Sequence, residues 1–151
     1  YHRLRLRTLA TLAAASVYLQ LILGAAFRHS GIKLLPHLIS AVAVTVLVLW
    51  TGTRVLAEHS GVPQLRWTAR TLIALLLVQL SLGLAAYLTR VAWGKAAPQP
   101  LPGMVIATVA HVAVGALVLA NSVVLALLAY RHTSRQVEFA VTHSAPGTVV
   151  A

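Results

Sequence analysis

The sequence predicts an all-α membrane protein, a four-transmembrane-helix bundle made of two repeated helical hairpins. Composition, four apolar runs and an internal match between the two halves predict it. Of 151 residues, 59% are hydrophobic and 9% charged, whereas about a quarter of a soluble domain carries charge. The apolar runs extend from Thr8 to Phe27, Leu34 to Leu56, Thr71 to Thr89 and Met104 to Tyr130. Each is close to the ~20 residues that cross a hydrocarbon core as a helix. Lipid offers the backbone no hydrogen bonds, so each run is predicted helical. Cysteine is absent, which excludes disulfides, iron–sulfur clusters and thiol chemistry together.

The first run follows Arg3, Arg5 and Arg7, like the core of a signal peptide. Its apolar length exceeds the ~7–15 residues usual there, so a retained helix is expected. The start at Tyr1 rather than Met leaves room for an upstream segment or a longer protein. The net charge of +10 raises the question of nucleic acid, but the basic residues sit at run ends without forming a stripe, so no nucleic-acid partner is expected. They instead set topology and meet anionic lipid. Arg3, Arg5, Arg7, Arg54, Arg66, Arg70, Arg131 and Arg135 fall on one side, against Arg28, Lys33, Arg90 and Lys95 on the other. Eight against four places both termini in the cytoplasm. Residues 1–131 are expected to form the four-helix domain. Residues 132–151, where Ser, Thr, Pro and Gly replace the apolar pattern, read as a mobile polar cytoplasmic tail. Trp50, Trp67, Trp93, Tyr87 and Tyr130 near run ends read as an interfacial belt.

The halves match residue by residue. "LQLILGAA" (Leu19 to Ala26) aligns with "VQLSLGLA" (Val78 to Ala85), putting Gln20 over Gln79 and Gly24 over Gly83. A buried Gln must find a partner in lipid and a Gly gives up packing surface, so their joint recurrence points beyond shared oiliness. In the second and fourth runs "HLISAVAV" aligns with "HVAVGALV", placing His37 over His111. Ala41 and Gly115 follow four residues later, one turn along the same face. A duplicated hairpin follows, and such repeats tend to place a site at their interface.

A histidine inside a membrane helix is costly and points to a site facing the bundle interior. Four roles compete for the pair. Haem iron takes two axial imidazoles from facing helices, and Ala41 and Gly115 are small enough to leave room for a flat macrocycle beside each. A proton relay wants carboxylates, yet Glu58 and Glu138 are the only acids and lie outside the apolar runs. Zinc wants further ligands, and none is evident. The plain alternative is that each histidine hydrogen-bonds a neighbouring backbone carbonyl. The haem reading is preferred because the histidines recur together with their small neighbours. Both would then descend from the outer side and hold one porphyrin in the outer leaflet. His37 lies nearer the start of its run than His111, so a tilt or an early start at Ile32 is needed to level them. Arg28 and His29, in the outer turn, are candidates to pair with propionates. His2, His59, His132 and His143 are expected to face solvent.

These elements resemble the haem A synthase family. "LQLILGAAFRHSG", His37, "VQLSLGLAA" and "AHVAVGALVLANSVVLALLAYR" occur in the family's order and resemble its four-helix unit, most closely the C-terminal half, over about Leu9 to Arg131. The resemblance implies one haem b held between His37 and His111. It also implies, as the alternative, a half or compact synthase that oxidises haem O to haem A. The family's catalytic unit has Glu-x-x-His-Arg at its first histidine, and here Leu34 and Leu38 stand at the Glu and Arg places. The expectation is therefore a membrane cytochrome module, serving electron transfer or a larger respiratory or photosynthetic complex, and not a synthase by itself. Its expected place is a bacterial inner membrane, with lipid and other membrane subunits or a second four-helix unit as partners.

Overall fold

The computed structural model describes residues 5–29, 33–92 and 101–143. Four helices follow one another: α1 (Leu6–His29), α2 (Leu34–Glu58), α3 (Pro63–Tyr87) and α4 (Pro102–His143). A π-helical turn, Leu88–Ala92, prolongs α3. Each helix contains a span long and apolar enough to cross a membrane, and no strand occurs among the described residues. α1 packs on α2 and α4, and α3 packs on the same two. The helices thus stand as a square with α2 and α4 on one diagonal.

Helix ends follow local chemistry. Pro36 lies in the first turn of α2, where its missing N–H has no intrahelical partner to lose. Pro63 begins α3 for the same reason. The α2–α3 turn is tight: the His59 N–H donates to the Val55 carbonyl at 2.9 Å and the Val62 N–H to the His59 carbonyl at 3.1 Å. Hydroxyls within the spans return to their own helix, as Thr51 does to Leu47 at 2.7 Å and Thr108 to Met104 at 2.7 Å. That satisfies them where lipid cannot.

Two helices are longer than hydropathy predicts. α3 starts at Pro63 rather than Thr71, and α4 continues from Tyr130 through His143. The first twelve residues of the expected polar tail therefore continue α4 as helix. Hydropathy marks where lipid is, not where hydrogen bonding stops. Arg, Gln, Glu and Ala are good helix formers, and polar side chains beyond the lipid cost a helix nothing. Residues 144–151, the outer loop with Trp93 and Lys95, Arg3, and the side chains of His29, Arg135 and Glu138 lie outside the described set.

The core is lopsided. Leu9, Val48, Val55, Leu65, Leu72 and Leu125 are almost completely buried together with Thr51 and Ser122, all in the half that holds the α2–α3 turn. Gly52 lets α3 approach there, since a Cβ on it would lie 3.0 Å from Ile73. Asn121 Nδ2 on α4 donates to the Thr68 carbonyl of α3 at 2.9 Å. Toward the opposite end, α1 has no buried residue beyond Val17, α2 none before Val44 and α3 none after Leu76. On α4 only Ala107 is buried before Gly115. The less densely filled half is the one that holds His37 and His111.

Candidate functional site

Each hairpin builds the same unit from one Gln, one Gly and one His. Gln20 and Gly24 are four residues apart on α1 and so share a face, as do Gln79 and Gly83 on α3. In the first hairpin, His37 of α2 lies against Gly24: a Cβ there would stand 3.1 Å from the imidazole Cε1. In the second, a Cβ on Gly83 would stand 3.0 Å from Cε1 of His111. Both glycines are cradles for a ring. Any larger residue would push the imidazole off its helix neighbour.

The glutamine amides complete the units. The Gln20 NH2 group lies 3.2 Å from Nδ1 and 3.5 Å from Nε2 of His37, and donates to the His37 backbone carbonyl at 3.0 Å. Its carbonyl oxygen accepts from the Ser40 hydroxyl. In the second unit the Gln79 NH2 group lies 3.4 Å from His111 Nε2. The His111 Nδ1–H donates to the Gln79 backbone carbonyl at 3.2 Å. Each imidazole is thus oriented from the neighbouring helix, the way ligating histidines are commonly oriented by a carbonyl or other acceptor behind them. His37 and His111 stand on the diagonal helices α2 and α4.

The unequal depth of the two histidines is not removed by an early start of α2, which begins at Leu34. Instead the second hairpin is longer beyond its histidine, because α3 passes Gly83 into the π-helical turn and α4 begins at Pro102. The level of each histidine is set by its own glycine. Ala41 is partly buried one turn along α2 from His37. A Cβ on Gly115 would meet Gln79 Nε2 at 3.0 Å and Leu21 Cδ2 at 3.1 Å, so its space serves the Gln79 amide and the approach of α1. Arg28 is exposed near the C-terminal end of α1.

Sequence reasoning did not place Gln20, Gln79 or Ser40 in the site, although the repeat of Gln four residues before Gly was the signal. It also passed over Arg90, whose guanidinium lies 5.2 Å from the centre of the Phe27 ring. No sequence signal joins those two, because they meet only where the bundle brings the ends of the diagonal helices α1 and α3 toward one another.

Do these residues suit an iron porphyrin? Two imidazoles on diagonal helices, glycines in place of side chains and a sparsely filled surrounding suit a flat group with two axial positions. The Gln79 carbonyl oxygen Oε1 is buried with no hydrogen-bond partner among the described residues, an unmet acceptor at the site. No cluster of three or more His, Cys, Asp or Glu that could hold a metal ion occurs among the described residues. A separate open groove of about 480 Å³ between α1 and α4 is lined by Ala14, Ala15, Tyr18, Leu119, Val123 and Tyr130 among others. It offers no imidazole or carboxylate.

The fold and site define an all-α bundle of four helices able to span a membrane, built from two like hairpins with a polar unit in each. Comparison with protein-family models, curated proteins and solved structures finds no match.

Proposed function

We propose that the chain is a membrane haem b module in which His37 and His111 supply the two axial ligands. The observation that carries this reading is the duplicated Gly–His–Gln unit on the diagonal of the bundle. A bound haem would supply reversible one-electron transfer. Gly24 and Gly83 give the imidazoles room, Gln20 and Gln79 orient them, Ala41 keeps bulk away one turn along from His37, and Gly115 leaves room for the Gln79 amide. Arg28, His29 and Arg90 at the outer end are suited to anionic carboxylates at the edge of the macrocycle. The charge asymmetry supports a bacterial inner membrane location with both termini cytoplasmic. Lipid and other membrane subunits, or a second four-helix unit, are the partners this reading calls for.

Oxidation of haem O to haem A is the rival reading, and it asks more of the chain. It needs a group able to take a proton near the oxidised carbon. Near the first histidine stand Leu34 and Leu38, and Glu58 lies at the opposite end of α2, paired with Arg54 at 3.0 Å. A second rival is a purely structural polar clamp, favoured by the His111 bond to the Gln79 carbonyl. A reduced-minus-oxidised spectrum of the purified chain, with pyridine extraction, decides among the three. A low-spin b-type spectrum is the expected result. A formyl-bearing extract from a haem O-producing host would promote the synthase, and an absence of any haem after reconstitution would leave the clamp.

A further inference from the structure

The repeat is broken at one position that bears on the amides. Since His37 matches His111, Ser40 is matched by Val114. In the first hairpin the Gln20 amide is held at both ends. Its oxygen accepts from Ser40, and its NH2 group donates to the His37 carbonyl at 3.0 Å while facing the imidazole at 3.2 Å. In the second hairpin the Gln79 NH2 group has one contact to the imidazole, at 3.4 Å. Its oxygen is buried and unpartnered, because Val114 has no hydroxyl to give. An unpaired buried acceptor costs free energy in place, whereas Gln20 would lose every one of its partners by leaving.

We infer that the two hairpins hold their histidines unequally: Gln20 with Ser40 is a fixed clamp on His37, and Gln79 is a yielding one, so that His111 is the imidazole released first to an incoming ligand. The haem-binding reading supplies the identity of that ligand. The orientation of His111 survives the departure of the amide, because its Nδ1–H is held separately by the Gln79 backbone carbonyl at 3.2 Å. A carbonyl only accepts, so Nδ1 carries the proton and Nε2 keeps its lone pair. Movement of the Gln79 side chain therefore uncovers a ligating nitrogen already in position. For His37, the same uncovering breaks the bonds to Ser40 and to the His37 carbonyl as well. Gln20, Ser40 and Gln79 act here as positioning residues, and Val114 is the place where the two hairpins diverge.

The test uses the full chain, free of haem, in nanodiscs with 15N-labelled glutamine. Side-chain amide hydrogen exchange is followed and assigned with Gln20→Met and Gln79→Met. The Gln20 amide is expected to exchange at least about tenfold more slowly than that of Gln79. Ser40→Val should speed Gln20 exchange toward the Gln79 rate without reaching it, since the bond to the His37 carbonyl remains, and Val114→Ser, which restores the missing hydroxyl, should slow Gln79. In stopped-flow uptake of haemin, Val114→Ser should slow the first phase while Ser40→Val leaves it unchanged. Equal exchange of the two amides, or no response to either substitution, overturns the inference whatever haemin does. Unequal exchange in a chain that takes up no haemin overturns the haem reading alone and leaves the unequal clamps standing.

Discussion

Gly83 lies so close to His111 that a single added carbon would come within 3.0 Å of the imidazole Cε1, and Gly24 repeats the relationship with His37 at 3.1 Å. Contacts that short force a neighbour to move, and here the neighbour is a ring pinned to the adjacent backbone. Gly83→Ala and Gly24→Ala should each tilt their histidine and weaken haem retention by roughly 10–100-fold, the usual effect of disturbing a ligand's support. Haem titration of the purified variants reads this directly. Undiminished affinity in both would show that the glycines serve helix packing only.

On the proposed haem reading, His37→Ala and His111→Ala should each abolish the low-spin spectrum, since each would remove one of two axial donors. Both variants should still insert, because the helices remain apolar enough to span. An unchanged spectrum in either variant would remove that residue from the site.

Enlarging Gly115 tests a different contact. Gly115→Leu would drive side-chain atoms into Gln79 and Leu21, and overpacking of this kind costs about 1–3 kcal/mol. Ala41→Leu, at a partly buried position, should cost less stability while crowding the turn below His37. Thermal unfolding in detergent should rank Gly115→Leu as the more destabilised, with haem loss in both. The reverse ranking would contradict the packing of Gly115 against α1 and α3.

Asn121 ties α4 to α3 through the Thr68 carbonyl at 2.9 Å. Asn121→Leu should lose about 0.6 kcal/mol, the average for hydrogen bonds between membrane helices. It should leave any haem spectrum unaltered, because the bond lies in the densely packed half that holds the α2–α3 turn. A spectral shift would mean that the two halves are coupled more tightly than their separation in the core suggests.

Topology is checked by labelling. With no native cysteine, Ser30→Cys and Gln99→Cys should react with an impermeant thiol reagent from outside sealed cells. Ser134→Cys should react only after the membrane is opened. Labelling of Ser134→Cys from outside would reverse the orientation.

Much of this molecule is legible in one dimension. The four helices follow from apolar length alone, since a chain in lipid has no other way to satisfy its backbone. The hairpin repeat follows from Gln20, Gly24 and His37 recurring as Gln79, Gly83 and His111. Helix ends outside lipid are less legible, because Arg66, Trp67 and Arg70 read as an interruption in hydropathy yet continue α3 without cost.

What the linear chain settled by itself is therefore the number of helices and the repeat that puts a histidine at matching places in the second and fourth, all properties of spacing and polarity within a segment. Tertiary structure decided which groups meet: that the glutamines find their partners in the histidines, that Gly24 and Gly83 are the ring cradles, and that Gly115 faces Gln79 and Leu21. It also decided that Phe27 receives Arg90. The physical reason is that these contacts depend on the rotation and axial offset of each helix against its neighbours. Rotation and offset emerge only when Leu9, Val48, Val55, Leu65, Leu72 and Leu125 close the inner core at once.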